Sequence, residues 1–156
     1  MSLREVSQVI GDYKGLSRKV LEYCLIMKRL VDGAKRPGFS LQSWAPLAEL
    51  VAVDEFERVG NFKERMNWQD YVGFLTKWAV SSDWECSFKR VTERPSVVFL
   101  ELEERSKAGD HASVVNSLSV YEFNTAGKIR HIDIYLQMPL PDSAMLKSYE
   151  GVRISG

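Results

Sequence analysis

Apolar residues recur at three- and four-residue spacing from Val6 to Val31, through Val9, Tyr13, Val20, Cys24 and Met27. That spacing predicts one helix with a single buried stripe, stopped at Gly33. Residues 32–38 carry loop chemistry, after which Ser43 is placed as the N-cap of a short helix with Pro46 in its first turn, running toward Val51. Loose alternation over residues 53–59 predicts a short edge strand ahead of Gly60 and Asn61. Asn67 then caps a third helix over 68–80, with Trp68, Tyr71, Phe74, Leu75 and Trp78 on one stripe. Beyond it the period changes to two. Strands are expected at 85–93, 96–105, 113–123 and 128–138, separated by turn residues at 94–95, 107–110 and 124–127. Pro139 and Pro141 cannot continue a central strand, so residues 139–156 are expected as a tail, extended over the surface or in part disordered.

Helices first and an antiparallel meander last define an α+β fold. At 156 residues the chain fits one domain with a single core, placed at residues 1–138. No apolar run approaches the roughly 20 residues that cross a bilayer. Lys+Arg 21 against Asp+Glu 21 cancel, so no global field favours nucleic acid or an anionic membrane as a partner. The first residues lack the pattern of a secretory signal, and a cytoplasmic location is expected. Cys24 on a helix and Cys86 on a strand, without CxxC spacing, read as buried reduced thiols. There is no GxSxG elbow, no Walker or dinucleotide-binding glycine pattern and no HExxH, and His111 sits in a turn without a second ligand at metal spacing. No metal and no cofactor is expected.

The last hairpin reads Val120-Tyr-Glu-Phe-Asn-Thr-Ala-Gly-Lys-Ile-Arg-His-Ile-Asp-Ile-Tyr. With the preceding order of helix, short helix, edge strand, helix and meander, this ending resembles the nuclear transport factor 2-like (NTF2-like) superfamily, in its SnoaL-like, ketosteroid isomerase-like and limonene epoxide hydrolase-like branch. The resemblance covers most of residues 6–138. It implies a cystatin-like α+β roll in which a curved, mainly antiparallel sheet wraps the long helix into a cone around an apolar pocket. It also implies a homodimer through the outer face of the sheet, and an apolar, polycyclic or lipid-like small molecule as the ligand. Fold alone does not fix the chemistry.

On the last strand His131, Asp133, Tyr135 and Gln137 share one face, and Ile132, Ile134, Leu136 and Met138 the other. If the polar face lines the cone, Asp133 is the candidate general base, with His131 and Tyr135 as its proton partners. If the apolar face lines it, those groups lie on the outer surface or at a dimer interface. Alignment on Gly127-Lys128-Ile129 and Tyr135 places the catalytic carboxylate of the epoxide hydrolases at Ile134. Their third-strand arginine and aspartate fall on Leu102 and Glu104. Glu104, on the face of Val98, Leu100 and Leu102, is the second candidate acid–base residue; the alternative is a solvated acidic run with Glu101 and Glu103. Arg58 is either a surface arginine or a planar fork of donors for Glu104 or for a ligand. Trp68 and Trp78 either fill the core or stack on a ligand ring. Two functions follow. One is a SnoaL-like small-molecule-binding protein, with cofactor-free isomerase, cyclase, dehydratase or epoxide hydrolase chemistry if it is an enzyme. The other is a non-catalytic binding or assembly module that keeps the fold with a degenerate site.

Overall fold

The computed structural model describes residues 2–140 and 143–153. The apolar stripe expected as one helix is divided into α1 (Val6–Val9), a 3₁₀ turn at Ile10–Asp12 and α2 (Gly15–Gly33). Gly15 opens α2 at φ 62°, a conformation that an L side chain resists, and this fixes the break. A second 3₁₀ turn at Leu41–Trp44 leads into α3 (Ala45–Ala48). Ser40 caps that turn in place of Ser43, because reciprocal side-chain bonds join the two serines. The edge region is a hairpin of β1 (Glu57–Val59) and β2 (Arg65–Met66), of which the sequence pattern shows only the first strand. α4 spans Trp68–Ala79, and Asn67 accepts the Asp70 N–H at 2.8 Å as its cap.

The long strands are β3 (Asp83–Arg94), β4 (Val97–Ala108), β5 (His111–Phe123) and β6 (Ile129–Gln137). All six strands form one sheet in the order β2-β1-β6-β5-β4-β3. It is antiparallel except where β1 runs parallel to β6. Register shifts at Phe88/Arg90 and Glu122/Phe123 mark bulges, which bend strands and raise local twist. The sheet curls over α2, which buries Val20, Leu21, Tyr23, Cys24, Met27 and Val31. This is the α+β fold expected from the order of elements, in the roll that the resemblance implies. No helix among the described residues is long and apolar enough to cross a membrane.

The C-terminal segment departs from the expected extended tail. It forms α5 (Ser143–Lys147) and then folds back, with Val152 against the core and the Arg65 N–H donating to the Arg153 carbonyl at 3.1 Å. An aromatic anchor directs this return. The Tyr149 ring meets Phe62 at 5.1 Å and Phe74 at 5.6 Å between centroids. The part of the expected tail at 141–142 and 154–156 lies outside the described residues.

Candidate functional site

Strand register decides which residues line the cone. Arg58 pairs with Ile132, Ile132 with Tyr121 and Tyr121 with Val98, and the last three are buried. By period two, the next inward rows are Ile134, Ser119 and Leu100, then Leu136, Ser117 and Leu102. Glu104 opposite Cys86 continues the inner face. The apolar face of β6, with Ile132, Ile134 and Leu136, therefore points inward.

Asp133, His131 and Tyr135 are on the outer face, and Tyr135 is 56% exposed. His131 Nε2 and Asp133 Oδ1 are 2.9 Å apart, and His131 Nδ1 lies 3.4 Å from Glu57 Oε1. With Glu122 they bring three donor atoms within 4.8 Å of one another. Cations already hold the flanking carboxylates: Arg130 binds Glu122 at 3.0 Å and Arg65 binds Glu57 at 3.1 Å. The outer group is a surface charge network beside an open cleft of about 500 Å³, and the sheet separates it from the inner face.

Inside the cone, Arg58 meets Glu64, a residue that sequence reasoning missed. The Glu64 side chain is 0% exposed and that of Arg58 is 13% exposed. Glu64 Oε2 accepts the Phe62 N–H at 3.0 Å, while Oε1 faces Arg58 Nη1 at 3.7 Å, an ion pair too long to be a hydrogen bond. Arg58 Nε and Nη1, Glu64 Oε1, Tyr23 Oη and Ser117 Oγ are buried without a hydrogen-bond partner. The Arg58 guanidinium lies 5.0 Å from the centre of the Tyr71 ring, within cation–π range. The β1–β2 turn places the carboxylate: the Gly60 N–H donates to the Glu64 carbonyl and the Lys63 N–H to the Gly60 carbonyl, both at 2.9 Å, with Lys63 at φ 63°.

Tyrosines connect this end to the rest of the interior. Tyr23 and Tyr121 meet edge to face at 5.6 Å, and burial pushes both phenols well above their ordinary range. Tyr71 adds to the shift of Tyr23, whose hydroxyl approaches it without completing a hydrogen bond. Cys24 rises as well, first through its Cys86 neighbour at 3.7 Å and then through burial. In the unfolded chain a thiol ionises near pH 8.5 and a phenol near pH 10. Above those values the native state binds more protons than the unfolded state, so stability falls as pH rises. The urea midpoint is expected to stay flat from about pH 7 to 8 and to drop between about pH 9 and 11. A midpoint that holds or rises across that window contradicts this account.

Glu104 forms a second polar point. It is half-buried and accepts the Trp84 indole N–H at 2.8 Å; Trp84 in turn packs edge-on against Trp78 at 6.3 Å. Trp68 stands edge-on to Phe56 at 5.3 Å and to Tyr71 at 6.1 Å, at the Arg58 end. Of the residues singled out from sequence, Arg58, Glu104, Trp68 and Trp78 thus gather on the inner side, and His131, Asp133 and Tyr135 do not.

The sequence matches no family model and no curated protein. Solved structures share its architecture. An NTF2-like protein of unknown function from Cytophaga hutchinsonii aligns at TM-score 0.55 and 13% identity, over 80% of this chain and 92% of its own. The chain has the NTF2-like fold. A SnoaL-like polyketide cyclase from Jannaschia aligns with this NTF2-like chain at TM-score 0.57 and 12% identity, over 80% of this chain and 90% of its own. The BvnE pinacolase from Penicillium brevicompactum aligns at 0.62 and 11%, over 86% and 91%. Identities this low carry the fold and leave the chemistry to the residues of this NTF2-like cone.

Proposed function

We propose that this chain is a SnoaL-like binding protein that takes a mostly apolar small molecule into its NTF2-like cone, with the molecule's polar group held at Arg58 and Glu64. The observation that carries this reading is the set of buried, unpartnered atoms on those two side chains. Nearly all buried polar groups are hydrogen-bonded, and a buried ion pair adds little stability over apolar residues of the same size. A charged pair with open valences inside an apolar core fits recognition better than it fits folding. Glu104, farther along β4 than Val98 of the Arg58 row, is a separate inward carboxylate with a side-chain donor already on it. It supplies a proton acceptor for cofactor-free acid–base chemistry on a ligand lying at its own end of the inner face.

The test uses 2-tetralone, an apolar ring with an exchangeable proton beside its carbonyl, followed by NMR in deuterated buffer. Wild type is expected to bind it and to speed exchange at the carbon between ring and carbonyl. Ser117→Phe, which adds bulk to the inner face, should abolish binding. Glu104→Gln should keep binding and slow exchange by on the order of 100-fold. Asp133→Asn, on the outer face, should change neither. Binding that survives Ser117→Phe refutes the interior site, and exchange that survives Glu104→Gln refutes the role of Glu104.

A further inference from the structure

We propose that the Arg58–Glu64 end of the cone selects an aromatic ring bearing a neutral hydroxyl, a phenol-type group, and that Tyr149 of the chain's own C-terminal segment occupies this place until such a ligand displaces it. The proposal rests on the interior-ligand reading above and specifies its chemistry. Charge excludes the first alternative. Arg58 and Glu64 sum to zero, so an anionic ligand drawn to the guanidinium meets the Glu64 carboxylate 3.7 Å from it. A hydroxyl suits both partners, because it accepts from Arg58 Nε or Nη1 and donates to Glu64 Oε1, the atoms that stand unpartnered.

The surrounding surface is built for a ring. Phe62 presents its edge to Tyr149 at an interplanar angle of 89°, Phe74 lies tilted at 44°, and Tyr71 covers the guanidinium. Tyr149 supplies the ring but not the hydrogen bonds, since Arg58 Nε and Nη1 and Glu64 Oε1 stay unpartnered with it in place. Its ring packs against Phe62 and Phe74, and its phenol is pushed above the ordinary range first by burial and then by Glu64, with Arg58 opposing. Ser143, Ala144, Leu146 and Lys147 of α5 are exposed, and among the described residues the Tyr149 ring, Val152 and the Arg65–Arg153 backbone bond meet the body. Exchange of Tyr149 for a small phenol therefore trades one ring for another and adds the hydrogen bonds to Arg58 and Glu64 that Tyr149 does not make.

The experiment titrates the full chain with 4-ethylphenol, 4-ethylbenzoate and ethylbenzene, three probes of one shape, by ligand-observed NMR. Tyr149→Ala is expected to bind 4-ethylphenol at least about tenfold more tightly than wild type, and about tenfold more tightly than either other probe, the worth of one hydrogen bond to a charged group. Adding Glu64→Gln should reverse the order in favour of 4-ethylbenzoate, since Arg58 is then unneutralised. Tyr149→Leu, which keeps apolar volume in the slot, should show the same preference for the phenol and serves if the alanine variant is poorly folded. Equal affinities of wild type and both Tyr149 variants overturn the displacement. Equal binding of 4-ethylphenol and ethylbenzene overturns the phenol selection and leaves the interior site standing. Failure of all three probes together with 2-tetralone overturns both.

Discussion

Glu64→Ala is expected to lower the free energy of unfolding by about 3–5 kcal/mol, the usual cost of removing one member of a buried ion pair. The size follows from what remains. The side chain of Arg58 is 13% exposed, and with Glu64 gone its charge loses the buried carboxylate it pairs with and keeps the Tyr71 face. The Phe62 N–H loses its acceptor in the same step. Glu64→Gln keeps that acceptor and should cost less, as an uncharged partner leaves the guanidinium solvated by a dipole. Replacing both members, Arg58→Met with Glu64→Leu, should recover most of the loss, because an apolar pair of similar volume fills the space without desolvating charge. Urea denaturation of the four proteins measures the series. A Glu64→Ala cost below about 1 kcal/mol would mean that Arg58 reaches water, and the interior site would then lose its polar anchor.

Period-two alternation was enough to place the long strands, and the helical stripe with the Asn67 cap was enough to place α4. Both signals come from many residues in series, each contributing to the same face. The break between α1 and α2 was hidden because Gly11 and Gly15 interrupt an apolar spacing that continues on both sides. Alternation could divide β6 into two faces but could not say which one turns inward. That depends on pairing with β1, a contact between residues more than 70 positions apart, Arg58 with Ile132. Glu64 was invisible for a related reason. It precedes a two-residue strand too short to show a period, and its partner is fixed by the hairpin, not by spacing. The Gly60-Asn61 turn signal was the one local hint of that hairpin. Prolines at 139 and 141 rule out a strand without ruling out a return, and Tyr149 finds its ring partners only in three dimensions.

Gly60→Ala is expected to destabilise the chain by about 3 kcal/mol, although the position is neither helical nor at positive φ. A methyl group there would lie 1.4 Å from Glu64 Oε1, 2.3 Å from its carboxyl carbon and 2.9 Å from Arg58 Nη1. On a surface, a glutamate would swing away at little cost. Here the side chain is 0% exposed and tied to the Phe62 N–H, so making room means breaking that bond and separating the carboxylate from Arg58. The penalty therefore belongs to the ion pair and not to the backbone, which makes it separable by a double-mutant cycle. In a Glu64→Ala background the colliding carboxylate is absent, and Gly60→Ala should then cost less than about 1 kcal/mol. An equal cost in both backgrounds would place the origin in the turn itself, between the Gly60 N–H and the Glu64 carbonyl. Strong coupling would instead mean that one glycine keeps the carboxylate beside the guanidinium, so that the shape of the β1–β2 turn sets the charge balance of the cone's interior.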